Sequence, residues 1–88
     1  MKIYLFSSNG CYPCEKAQDV VSKILKENPL IDIIKVTRPD PLFASYGVVM
    51  VPTLLIDPGD KPGAALVGVS NITKVEVEGL LRDFGFLQ

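Results

Sequence analysis

The chain has 88 residues, 48% of them hydrophobic, with a formal net charge of −1 and no histidine. That is enough apolar material for one small core, and the length gives a single domain over residues 1–88. The near-neutral charge, without long like-charged runs, argues against a nucleic-acid surface, and no stretch approaches the roughly 20 apolar residues of a membrane span.

The N-terminus, Met1-Lys2-Ile3-Tyr4-Leu5-Phe6, begins as a signal peptide does, charged and then apolar. The apolar run stops at Ser7, too early for a signal core. Residues 2–7 therefore read as a first, buried strand of a cytoplasmic protein. Residues 11–28 follow with helical spacing: Ala17, Val20, Val21, Ile24 and Leu25 form one stripe, and Asn28-Pro29 ends it. Ile31 to Val36 reads as a second strand. A helix joins the two strands, so they should be parallel with a right-handed crossover.

Arg38-Pro39-Asp40-Pro41 is a turn signal, and Leu42 to Tyr46 reads as a short helix ended by Gly47. Thr53 to Asp57 and Ala64 to Val69 read as two more strands. The short Gly- and Pro-rich connector between them predicts an antiparallel hairpin. Thr73-Lys74-Val75-Glu76 fits a capping box, and Val77, Leu80, Leu81 and Phe84 continue a last helix of about 12 residues to Gly85. Gly79 inside it marks either close packing on the sheet or a tolerated weak point. Tyr4, Phe6, Tyr46 and Phe84 read as core aromatics. The order β-α-β-α-β-β-α predicts an α/β fold: a four-stranded mixed sheet with helices on both faces.

Cys11 and Cys14 are the only cysteines, and they stand where the first strand gives way to the first helix. Residues three apart share a helix face, and their Cα atoms then fall within the roughly 4.4–6.8 Å that a disulfide spans. A helix N-terminus carries unpaired N–H groups and partial positive charge, which stabilise a thiolate. The spacing reads as a dithiol–disulfide redox site, with Cys11 the nucleophile and Cys14 the resolving thiol. Two other readings stay open on the residues alone. The pair could be half of a zinc site, although no histidine or third cysteine is present to complete four ligands. The two could also be unreactive buried cysteines. Lys16 and Lys2 are candidates for cationic character near a Cys11 thiolate, against the simpler reading as solvated charges, and Glu15 opposes thiolate formation.

Three segments together resemble the thioredoxin superfamily, and the likeness covers nearly the whole chain. Cys11-Tyr12-Pro13-Cys14 looks like its C-x-x-C, with proline before the second cysteine as in the thioredoxin form C-G-P-C. The glutaredoxin form C-P-Y-C has the two middle residues swapped. Tyr46-Gly47-Val48-Val49-Met50-Val51-Pro52-Thr53-Leu54 is similar to the thioredoxin stretch ending V/I-P-T-L, and Val67-Gly68-Val69 looks like the end of its last strand. The resemblance implies a thioredoxin-like fold of glutaredoxin size and a thiol–disulfide oxidoreductase that reduces protein disulfides without a bound cofactor. It also implies a cis Val51-Pro52 bond. Val51 and Pro52, with Tyr12 and Pro13, would form the substrate-binding surface beside the thiols.

The chain departs from the family pattern in three places. Gly10 stands where thioredoxins usually have tryptophan, and Leu5 where they bury an aspartate. Gly68-Val69-Ser70-Asn71-Ile72 lacks the second glycine and both acids of the glutaredoxin glutathione segment. The implied partners are disulfide-containing proteins and a reductase or small thiol as electron donor, with the protein a monomer. The alternatives are a glutathione-dependent glutaredoxin, a non-catalytic thioredoxin-like module, and a metal or iron–sulfur site shared between two chains.

Overall fold

A computed structural model describes residues 2–87. Seven elements follow in the expected order: β1 (Lys2–Ser7), α1 (Tyr12–Glu27), β2 (Ile34–Thr37), α2 (Pro41–Ser45), β3 (Thr53–Asp57), β4 (Ala64–Val67) and α3 (Lys74–Asp83). They form one four-stranded sheet in the order β2-β1-β3-β4. β1 pairs parallel with β2 and antiparallel with β3, and β3 pairs antiparallel with β4. The sheet is mixed and the fold is thioredoxin-like α/β.

The central position of β1 explains its composition. A strand covered on both faces reads as a continuous apolar run, and Ile3, Tyr4, Leu5 and Phe6 are all buried. Alternation sends them to two cores. Ile3 and Leu5 join Leu54 and Ile56 of β3 beneath Ala17, Val21 and Ile24 of α1 and Val77 and Leu81 of α3. Tyr4 and Phe6 join Val36 of β2 and Phe43 of α2 on the opposite face. Burying each such side chain contributes about 1.5–3 kcal/mol, so α1, and the cysteines at its start, is fixed on a stable base.

Element boundaries differ from the sequence expectation at several ends, each for a local reason. β2 starts at Ile34, not Ile31, because the Ile31 N–H turns back onto the Asn28 carbonyl (3.0 Å) and completes the exit from α1. α2 begins at Pro41, since Asp40 Oδ1 accepts from the Leu42 N–H (2.9 Å) and proline suits a first helical position. β4 ends at Val67 rather than Val69: the Gly68 N–H makes one last bond in the β3–β4 register, to the Pro52 carbonyl (2.9 Å), and the left-handed φ of 88° at Gly68 then turns the chain out of the sheet. α3 spans ten residues, with Phe84 as its C-cap. Thr73 Oγ1 accepts from the Glu76 N–H (3.2 Å), while the reciprocal Glu76 side-chain bond is not formed among the described residues. Gly79 faces open space, so it is tolerated rather than required for packing.

Candidate active site

The ladder register brings the functional segments to one end of the sheet. Ser7 closes β1 opposite Thr37, the last residue of β2. Phe6 opposes Thr53, the first residue of β3, and Thr53 opposes Val67, the last of β4. The Cys11 loop, the turn after β2, the Pro52 segment and the Gly68 turn therefore all leave the sheet on the same side. The Val51–Pro52 and Arg38–Pro39 peptide bonds, both at this end, are cis; the second was read from the sequence only as a turn.

Gly10 precedes the site with φ 68°, a left-handed conformation that costs residues with a Cβ. A tryptophan would be strained there, which accounts physically for its absence. Cys11 is then the N-cap of α1 in an extended conformation, and its sulfur accepts the Cys14 N–H at 3.1 Å. Pro13 sits in the first turn, where a missing N–H leaves no helical bond unmade. Cys11 and Cys14 are joined as a disulfide with Cα atoms 5.2 Å apart. Cys11 is half-buried and Cys14 only 4% exposed.

A polar cleft of about 280 Å³ flanks the pair, bordered by Ser8, Asn9, Glu15, Gln18, Lys35 and Thr37. Leu5, at the position of the family aspartate, is buried in the core under α1. Thr53 is the one buried polar residue among those described, so no buried carboxylate lies near the sulfurs. Among the described residues no three His, Cys, Asp or Glu side chains come together as a metal site would need.

The structure divides the other charges noted from the sequence. Lys2 is at the far end of β1, opposite Asp57 in the ladder, and cannot serve the thiols. Lys16 has its ammonium over the Tyr12 ring, 5.1 Å from the centroid. Lys35 was not singled out from the sequence, yet it borders the cleft. The signal lay in the parallel pairing of β1 and β2, which sets Lys35 opposite Leu5, two residues before β1 ends. Tyr46 is more than a core aromatic. Its hydroxyl donates to Asp57 Oδ2 at 2.6 Å, which holds the Tyr46 phenol well above its usual range and the Asp57 carboxyl below its own. This pair lies at the Asp57 end of the sheet, away from the cysteines.

Exposed apolar side chains flank the disulfide end of the fold: Tyr12 is 67% exposed, Val49 82% and Met50 54%. Pro52 is buried and Val51 half-buried. Among the described residues, neither backbone group of Val51 has a partner, whereas the Met50 carbonyl accepts from Thr53 Oγ1 (2.7 Å) and the Pro52 carbonyl from Gly68 N–H (2.9 Å).

A two-cysteine loop at the N-terminus of a helix packed on this sheet supports thiol–disulfide oxidoreductase chemistry in general. Residues 1–79 match the family described as thioredoxin domain, and the chain belongs to that family. Among solved structures it is similar to thioredoxin from Trypanosoma brucei brucei, with 23% identity, a TM-score of 0.77, and 93% of this chain and 72% of that one covered. It is similar to Chlamydomonas reinhardtii thioredoxin f2 at 16% identity and TM-score 0.78, covering 98% and 80% of the two chains. A malarial protein aligns over 94% of each chain at 16% identity and TM-score 0.71. At such identities the likeness is one of fold. No curated protein matches the chain.

Proposed function

We propose that this protein reduces disulfide bonds in other proteins by dithiol exchange, in the cytoplasm, acting as a monomer without a bound cofactor. The observation that carries the reading is the asymmetry of the cysteine pair: Cys11 half-buried as the helix N-cap and sulfur acceptor of an N–H, Cys14 buried one turn on. Helix N-termini lower thiol pKa values, and the thiolate is the attacking species. The Cys11 thiolate attacks one sulfur of a substrate disulfide. The Cys11–substrate bond forms as the substrate bond breaks, and the other substrate sulfur leaves as a thiolate and takes a proton. Cys14, deprotonated, then attacks Cys11 Sγ, which closes the Cys11–Cys14 disulfide and releases the second substrate thiol. Two electrons pass to the substrate, and a reductase or small thiol returns them.

The unpaired Val51 N–H and C=O before Pro52 fit an extended substrate segment added as a short strand, while Tyr12 and Pro13 offer apolar contact from the cysteine loop. The test is reduction of insulin disulfides by the protein with thioredoxin reductase and NADPH, and separately with glutathione. Turnover above the uncatalysed rate is expected, with Cys11→Ser inactive and Cys14→Ser trapped as a mixed disulfide on Cys11. No turnover with any donor, or a Cys14→Ser variant that accumulates no adduct, would remove the assignment.

A further inference from the structure

Arg38 was read from the sequence only as part of a turn, yet its side chain is held at two points. The chain leaves β2 with the Arg38 N–H donating to the Ser7 carbonyl (3.1 Å), one step beyond the β1–β2 ladder. From there the guanidinium lies over the Phe43 ring, 5.0 Å from Cζ to centroid, and Nη2 donates to the Val49 carbonyl at 2.6 Å. A charged donor at that distance makes a strong hydrogen bond, and stacking on an aromatic face fixes the plane of the fork.

The Val49 carbonyl begins the segment Val49-Met50-Val51-Pro52. Each of its carbonyls except one has its own donor: Arg38 Nη2 for Val49, Thr53 Oγ1 for Met50 and the Gly68 N–H for Pro52. Val51 is the exception, and its N–H is equally free among the described residues. The three donors come from three different places in the fold, the turn after β2, the start of β3 and the turn after β4. Val49 and Met50 are exposed, so core packing holds only the Val51–Pro52 end of this stretch.

We propose that Arg38 is a positioning residue for substrate: it clamps the Val49 carbonyl and thereby fixes the Val49–Pro52 backbone so that Val51, the one residue of the stretch with both N–H and carbonyl free among the described residues, pairs with an extended polypeptide bearing the disulfide. The proposal rests on the protein-disulfide reading above. Arg38 acts on binding of a polypeptide and leaves the sulfur chemistry untouched, so its loss affects large and small substrates differently.

The experiment compares Arg38→Met and Arg38→Lys with the wild-type protein, using insulin and a small aromatic disulfide without a peptide backbone. Arg38→Met keeps an apolar stem over Phe43 and removes the donor. Its KM for insulin should rise about five- to tenfold, the size expected for loss of one charge-assisted bond at an exposed site. Its kcat at saturation, its rate with the small disulfide and the equilibrium constant of its dithiol–disulfide exchange should stay within about twofold of wild type. Arg38→Lys, which retains a donor and the charge, should recover at least half of the lost apparent affinity. The KM effect should be nearly the same at low and high salt, because the clamp is a contact hydrogen bond to a neutral carbonyl and not an attraction between separated charges. An unchanged insulin KM in Arg38→Met overturns the role, as does an equal loss with both substrates. A KM effect that high salt abolishes also overturns it, because the guanidinium would then touch the substrate itself. Wild-type protein that turns over the small disulfide but never insulin overturns the protein-disulfide reading and this role with it; insulin turnover by wild type with indifferent variants overturns the role alone.

Discussion

Alanine in place of glycine should have opposite effects at Gly63 and Gly79, and the structure gives the size of each. Gly63 lies in the β3–β4 connector, one residue before β4. A Cβ built there collides with the Ile56 carbonyl oxygen, and lies 3.2 Å from the Ile56 carbonyl carbon and 3.3 Å from Pro58 Cδ. Backbone and a proline ring cannot swing aside as a flexible side chain would. Ile56 opposes Ala64 at this end of the hairpin, so relief requires opening that pair. Overpacking costs about 1–3 kcal/mol and a lost ladder bond about 0.5–1.5 kcal/mol, which together give a destabilisation of about 1.5–4.5 kcal/mol. A chain of this length has roughly 4–13 kcal/mol in all, so the loss is severe. Gly79, inside α3, meets nothing within 4 Å of an added Cβ. Alanine there gains helix propensity, about 1 kcal/mol. Urea denaturation of the oxidised proteins, followed by far-ultraviolet circular dichroism, measures both at constant disulfide state. A Gly63→Ala midpoint equivalent to within about 0.5 kcal/mol of wild type, or a Gly79→Ala variant less stable than wild type, would refute the steric reasoning.

Two further substitutions test local features. Tyr46→Phe removes the hydroxyl that donates to Asp57. Because the Asp57 carboxyl is held below its usual range, its share of stability is present above about pH 4 and is lost as pH falls through the folded value; because the Tyr46 phenol is held above its usual range, its share is present below about pH 10 and is lost on the alkaline side. The difference in urea midpoint between wild type and Tyr46→Phe should therefore be flat from about pH 5 to 9 and shrink at both ends, and a difference that grows in acid would show that the pair is not what links stability to pH. Thr73→Ala removes the oxygen that caps the Glu76 N–H of α3 and should cost about 1 kcal/mol, with Thr73→Ser near wild type in the same denaturation assay.

Much of the fold was legible because local pattern and tertiary setting agree. The run Ile3 to Phe6 could only be a strand covered on both sides, and the stripe Ala17, Val21, Ile24 could only be the inner face of a helix lying on it. Ends were less legible, since they depend on single bonds that no period encodes. Ile31 is as apolar as a strand residue, but the turn bond to Asn28 takes its N–H before the ladder begins. Val69 continues an apolar pattern, yet the left-handed Gly68 has already turned the chain out of the sheet. The reciprocal half of the capping box at Thr73 matched in sequence and did not form, because an exposed Glu76 side chain has water as an equal partner.

The candidate site was legible for a different reason. Cysteine is rare enough here, and its spacing restrictive enough, that two residues point first to dithiol chemistry. What holds the surroundings in place is written in register instead. β1 and β2 run parallel, so whatever follows Thr37 stands beside whatever follows Ser7, although about 30 residues of chain, most of them α1, separate the two. β3 and β4 then bring Pro52 and Gly68 to the same end. Arg38 looks in the sequence like one more charge in a proline turn; only the parallel register makes it a neighbour of the cysteine loop's root, and only the packing of α2 supplies the Phe43 ring it lies on. Lys35 is hidden in the same way, as a polar interruption in a strand until pairing sets it against Leu5 at the mouth of the cleft. With Leu5 apolar and buried, no buried carboxylate stands near the sulfurs among the described residues, and the charged groups that line the cleft beside them are Glu15 and Lys35. If Cys11 is the nucleophile proposed above, stabilisation of its thiolate falls to the helix N-terminus and the Cys14 N–H, a contribution set by backbone geometry rather than by the side chains around it.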